Sequence, residues 1–427
     1  MAKLQAKQDT LTARIAGLEL RQDGWSAPAR RDALNRLSAM GLPGKRDEYW
    51  RYTDPASLIS VDAPKAAPFV YSDEKMVFTG VDRLRLVFVD GVFDAAASDD
   101  PVMAGVEISR LADAGDLHWA RDLYGVLEAK GQSPVERPLA ALNTSFATDG
   151  VMIRVTGQAA KPVSLIYLHN SESSDAILHN CIKVEAGAEI TILENGPAAA
   201  RLNKVMEVDI ADGGKFHHIR TQGRDHDRRA VTHIFARLAA NALFKSFTLT
   251  ANGRMTRNEA IIEFTGDDAV AHVAGVAVGD GDFHHDDTVF ITHDAERCES
   301  RQVFKKVLKN GAVGVFQGKI LVKPGAQKTD GYQISQSLLL DDDCQFLAKP
   351  ELEIYADDVQ CSHGSTSGAI DETALFYLRS RGVPEATAQN LLVLAFLAEA
   401  IAEIEDQSLA DDILVRMENW LIRHEGK

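Results

Sequence analysis

The spacing of apolar residues changes period twice along the chain. Over residues 1–40 it is helical: two helices are expected, the second from Ala27 to Met40 with Leu34, Leu37 and Met40 along one side and Gly41-Leu42-Pro43-Gly44 as its stop. Leu84–Val89 and Val92–Phe93, joined through Asp90-Gly91, read as a hairpin, His118–Lys130 as a helix, and Asn143–Gly150 as a loop. From Val151 to about Tyr355, runs rich in Val, Ile, Phe and Thr replace the helical period with strands. The end is helical again. Asp371–Arg381 stops at Gly382, and Pro384 opens a second helix that is apolar over a wide arc through Leu391, Leu392, Ala395, Phe396 and Ala398. A capping-type start at Ser408 to Asp411 introduces a third, whose Leu409, Ile413, Leu414, Met417 and Leu421 form one apolar stripe. Such a stripe is either core or a groove for a partner, and these five residues are the candidate partner-binding surface.

Within the strand region a longer beat is visible. Small or polar corners centred at 187, 213, 240, 267 and 294 separate pairs of strands and recur about every 27 residues. A sandwich shows turn signals at shorter intervals without this beat. Two strands and two turns per repeat are what one coil of a solenoid holds, so a parallel β-helix is expected, with helical termini covering its ends. Three regions follow: an N-terminal helical region over 1–150, the solenoid over 151–360 and a C-terminal helical domain over 361–427.

Composition narrows the function classes. The 427 residues are 45% hydrophobic and 25% charged, ordinary for a packed globular chain, and the net charge of −16 argues against free-standing nucleic-acid binding. The first residues carry charge where a signal peptide needs an apolar run, no 18-residue apolar stretch occurs, and the four cysteines are scattered. A cytoplasmic protein with reduced thiols is expected.

Candidate chemistry concentrates near the end of the strand region. Cys361 and His363 are two apart, so on an extended chain they share a face. Both are ligands for iron, copper or zinc, but a closed site takes four and no C-x-x-C spacing supplies the rest. The following Gly364-Ser365-Thr366-Ser367-Gly368 favours neither helix nor strand, which predicts a loop there. His217-His218 and His284-His285-Asp286-Asp287 carry ligand residue types as well, but neighbours on a strand face opposite ways, and a solvated coil surface is the expectation for both. Gly314 to Ile320 only echoes a phosphate loop: it has three residues between its glycines and Ile where Ser or Thr should bind magnesium. Gly44 to Thr53, dense in aromatics and charge, reads as a segment that docks its rings on the main body.

Longer stretches resemble a known family. Gly41 to Thr53, Leu142 to Gly150, Gly311 to Lys319 with Val322 to Asp330, Leu338 to Leu340, the Cys361-Ser362-His363-Gly364 motif and Phe376 to Gly382 are together similar to the SufB/SufD family of iron-sulfur cluster assembly proteins, across essentially the whole chain. The resemblance implies a right-handed parallel β-helix with helical ends, acting as a non-catalytic scaffold subunit. It implies pairing with SufB through the β-helix, binding of the ABC-type ATPase SufC through the C-terminal helices, and a possible homodimer in isolation. It also implies that Cys361 and His363 help hold iron or a nascent cluster shared with SufB, with no cofactor held stably alone and ATP used only through SufC. The other reading that the solenoid allows is a carbohydrate-active enzyme, which would need a cleft of carboxylates along the solenoid side.

Overall fold

Two sheets face each other along the length of the chain. The computed structural model describes residues 2–68, 77–113, 115–196, 198–223 and 226–424. Among them one sheet has ten strands and the other nine, and from Val151 onward consecutive strands alternate between the two. Each strand pairs in parallel with those one coil before and after it, as Arg229–Leu238 does with Arg201–Ile210 and Met255–Phe264. This is the parallel β-helix that the 27-residue beat predicts.

The beat has a backbone cause. At each corner one residue adopts positive φ: Gly187, Gly213, Asn241, Asp268, Arg297 and Lys328. Glycine, Asn and Asp enter that region most easily, which is why small and polar residues mark the corners. Each of these residues donates its N–H to a carbonyl in the next corner, from Gly187 to Asp212 through Lys328 to Asp358. Later coils are longer. Arg201 bonds Asp175 at a separation of 26 residues, whereas Asn310 bonds Asp341 at 31.

The broad outer faces of both sheets are covered. Over the nine-stranded sheet lie Ala27–Met40, Pro138–Phe146 and the docking segment, with Leu37, Met40, Trp50, Leu139 and Phe146 packed on Ile177, Val205 and Phe235. Arg257 stacks over Trp50 at 4.2 Å and donates to the Tyr49 carbonyl at 2.7 Å, and the Tyr49 hydroxyl donates to Glu351 at 2.7 Å. The docking expectation for Gly44 to Thr53 is met. Over the ten-stranded sheet lie Glu385–Ile401 and Gln407–Arg423, packed on Phe247, Val276 and Val303. Among the described residues no helix is long and apolar enough to cross a membrane.

Several expectations need correcting. Asn143–Phe146 belongs to the helix Pro138–Phe146, because an apolar run opened by Pro138 packs on the sheet and the buried Asn143 side chain donates to the carbonyls of Leu178 and Asn203. His118–Lys130 is two short helices interrupted around Gly125, whose φ is +74°. The third C-terminal helix is capped by Asp406, which accepts from the N–H groups of Ser408 and Leu409. Its stripe is core: Leu409, Ile413, Met417 and Leu421 are buried and Leu414 partly so, since the sheet face beneath them needs an apolar cover. The histidine and aspartate clusters are not solvated either. All four of His218, His285, Asp286 and Asp287 are buried: His218, His285 and Asp287 face the interior between the sheets, and Asp286 lies under the docking segment. Asp286 accepts from Thr53 at 2.6 Å, while Asp287 accepts from Lys306 at 2.6 Å.

Buried neutral histidines make stability depend on acid. Burial holds His233 down to about 4, against the opposing pull of Glu259, and holds His293 down to about 3. Unfolded, both titrate near 6.5. As pH falls from about 6.5 towards 4 the unfolded chain therefore binds protons that the folded chain refuses, and stability drops by about 1.4 kcal/mol per histidine per pH unit. Urea unfolding midpoints should be clearly lower at pH 5 than at pH 7; equal midpoints would contradict the buried neutral state.

Candidate functional site

Cys361 and His363 sit on the last strand, Gln360–Gly368, at the outer edge of the ten-stranded sheet. The expected loop is a strand: the ladder to Asp330–Leu338 runs from Gln360 to Gly368 and overrides the weak strand preference of Gly and Ser. Opposite it, Gln345–Ile354 is the edge strand of the other sheet. Gln360–Gly368 is largely exposed and Gln345–Ile354 mostly half-buried, in contrast to the largely buried strand Val313–Val322 beneath. The Gln360 N–H donates to Thr329 at 2.8 Å, so the alternating pattern aims the backbone groups of Cys361, His363 and Ser365 at the open edge.

The thiol points inward along the solenoid axis. Cys361 lies opposite Gly331, where an added Cβ would come 3.1 Å from its Sγ, and it packs on Ile320 and Val322. Burial pushes the thiol above its ordinary value; the Gly331 N–H opposes this and Asp330 adds to it. The thiol is therefore protonated at neutral pH, and a metal would have to displace the proton. His363, two residues on, occupies the same face and is exposed, opposite Gln333 in the strand below. The same inward face continues with Ser365, whose hydroxyl accepts from Ser335 at 3.1 Å.

The remaining thiols are elsewhere. Cys181, Cys298 and Cys344 are buried. Among the described residues two clusters bring three ligand-type groups together, His179/Cys181/Glu207 and Asp341/Asp343/Cys344, and neither includes Cys361 or His363. Their donors are occupied. Glu207 accepts from His179 at 2.8 Å and from the Glu128 N–H at 2.8 Å, while Asp341 and Asp343 accept from the corner N–H groups of Asn310 and Gly311. What the rim offers is a soft thiolate donor and an imidazole on one face of an unpaired edge, half of a four-ligand set. Sequence spacing located that pair; it gave no sign of Gln333 and Gln302 beneath His363, which only the strand register brings into line.

Fold and rim together define a class: a helix-covered β-solenoid whose last coil is left open and carries a thiol and an imidazole on one face. The chain belongs to the SUF system FeS cluster assembly SufBD family; the model of the SufBD core domain matches residues 167–396 and that of the SufBD N-terminal region matches residues 26–163. It is 28% identical over 400 residues to the iron-sulfur cluster assembly protein SufD of Escherichia coli K12, covering 92% of each chain. It is 26% identical over 434 residues to an iron-sulfur cluster assembly SufBD family protein of Synechocystis, covering 95% of this chain and 92% of that one. With SufD of Bacillus subtilis it shares 30% identity over 281 residues, 63% of each chain.

Proposed function

We propose that this chain is the SufD-type scaffold subunit of a cytoplasmic SufBCD complex, supplying half of a site on which an iron-sulfur cluster is built and from which it is passed on. The observation that carries the reading is the open rim: two unpaired edge strands with Cys361 and His363 facing the axis between them. A SufB subunit that continues both sheets would satisfy the free edges and bring the missing ligands. The cluster is cargo, and a site split across an interface opens when the interface shifts. In this reading the chain performs no chemistry of its own, and ATP is hydrolysed by SufC. The carbohydrate-enzyme reading finds little room, since the broad faces of both sheets lie under helices.

Because the stripe of the third helix is spent on the solenoid, we place the SufC contact on the outward side of the C-terminal helices. Phe376 and Tyr377 on Glu372–Ser380 are 73% and 56% exposed, with Leu391, Val415 and Ile422 exposed on the other two helices. The reading is tested by co-producing the chain with SufB and SufC and isolating the complex. Phe376→Glu should keep the melting temperature of the free chain, as exposed substitutions change stability by about 0.5 kcal/mol or less. It should also weaken SufC capture roughly tenfold, the effect of losing an interface anchor worth about 1.4 kcal/mol or more. Full capture by the variant would move the SufC contact elsewhere, and failure of the wild-type chain to co-purify with SufB would remove the scaffold role.

A further inference from the structure

Beneath His363 the inward row continues with Gln333 and then Gln302, one residue per coil. Both glutamines are fully buried. Gln333 Nε2 donates to Gln302 Oε1 at 3.0 Å, which ties the two amides together, and the far wall of the solenoid is shaped to receive the upper one. Opposite stands Gly318, where an added Cβ would lie 2.5 to 2.7 Å from the atoms of the Gln333 amide. Any larger residue there would displace it.

Two atoms of this pair are unspent, Gln302 Nε2 on the lower amide and Gln333 Oε1 on the upper one. Gln333 Oε1 is buried and has no hydrogen-bond partner. A buried acceptor left unpaired costs about 1–3 kcal/mol, so its retention asks for a use. The nearest position in the same row is His363, about 4.8 Å away along the sheet. An imidazole that binds metal through one nitrogen carries N–H on the other, and that N–H needs an acceptor to fix the ring and its tautomer. On an unpaired rim, where His363 has no coil above it, the support has to come from below.

We propose that Gln333, anchored by Gln302 and seated against Gly318, is the positioning residue that accepts the free N–H of the His363 imidazole when its other nitrogen takes a metal. The inference rests on His363 being a ligand. It assigns Gln333 no contact with the metal.

The test uses the full chain in complex with SufB and SufC, with Co(II) as the probe and its ligand-field absorption as the readout. Gln333→Met, similar in shape but without an acceptor, should weaken Co(II) binding by roughly tenfold to a hundredfold, the usual effect of losing a partner of a metal-bound histidine, and should shift the absorption bands. Gln333→Glu keeps an acceptor at that place, anchored once the Gln302 amide turns its unpartnered Nε2 to donate, and should restore both. His363→Ala should abolish the histidine-dependent bands. If Gln333→Met binds Co(II) as the wild type does while His363→Ala does not, the positioning role is overturned and the ligand reading stands. If His363→Ala also binds as the wild type does, the ligand reading falls and takes this inference with it. Should Gln333→Met fail to fold, Gln302→Met carries the same test by freeing the amide: weaker Co(II) binding supports the inference and unchanged binding overturns it.

Discussion

A chain carrying His363→Ala is expected to fold, to pair with its partners and to build no cluster. The imidazole is exposed on the rim, so truncating it removes little packing, and the strand that holds it is tied to its neighbour by backbone bonds that the substitution leaves alone. What is lost is one of the two candidate metal donors that share the inward face of the last strand. With the partner's share of ligands unchanged, a site short of one ligand should fall at least tenfold in iron retained and in the visible absorption of the reconstituted complex. Cys361→Ser should act in the same direction, since a hydroxyl is a poor ligand for iron in a sulfur environment. Melting temperature and co-purification with SufB should match the wild type in both variants. Reconstitution at the wild-type level by His363→Ala would end the assignment of this rim as the building site.

How far the sequence disclosed this depends on the kind of signal each element carries. Corners announce themselves, because positive φ selects Gly, Asn and Asp, and the beat of Gly187, Gly213, Asn241 and Asp268 therefore gives the solenoid away. The pair Cys361 and His363 is legible for a similar reason: two residues apart on a strand means one face. What sits on top of a strand is not encoded in the strand. His285 and Asp287 look like surface residues until the opposite wall supplies Lys306, and Asp286 does so until Thr53 arrives from a segment more than two hundred positions earlier. The apolar stripe of Gln407–Arg423 fits a core and a partner groove equally well, and only the uncovered face of the ten-stranded sheet decides between them. The local composition of the last strand speaks for a loop, while nine residues of parallel ladder speak for a strand.

Glu194→Leu is expected to be among the most destabilising single substitutions in the molecule. Glu194 stands on one sheet and Lys204 on the other, so their ion pair spans the interior. The same carboxylate accepts from the Tyr167 hydroxyl at 2.7 Å and from His218 at 2.9 Å. Burial works against its charge, yet Lys204, His218 and Arg220 together hold it well below the usual carboxylate range; burial lowers Lys204 to about 8, still cationic at neutral pH. Removing the anion leaves Lys204 and Arg220 buried without their main counter-charge, which should cost about 3–5 kcal/mol in a urea titration. Removing both partners, as in Glu194→Leu with Lys204→Met, takes away the stranded lysine as well and should recover most of that loss. The comparison separates two accounts of why ions persist in this interior. Were the pair a source of net stability, the double variant would stay well below the wild type. If it instead fixes which coil faces which, the double variant regains its midpoint but loses cooperativity, because rows of Val, Ile and Phe alone admit neighbouring registers that a carboxylate needing one particular lysine does not.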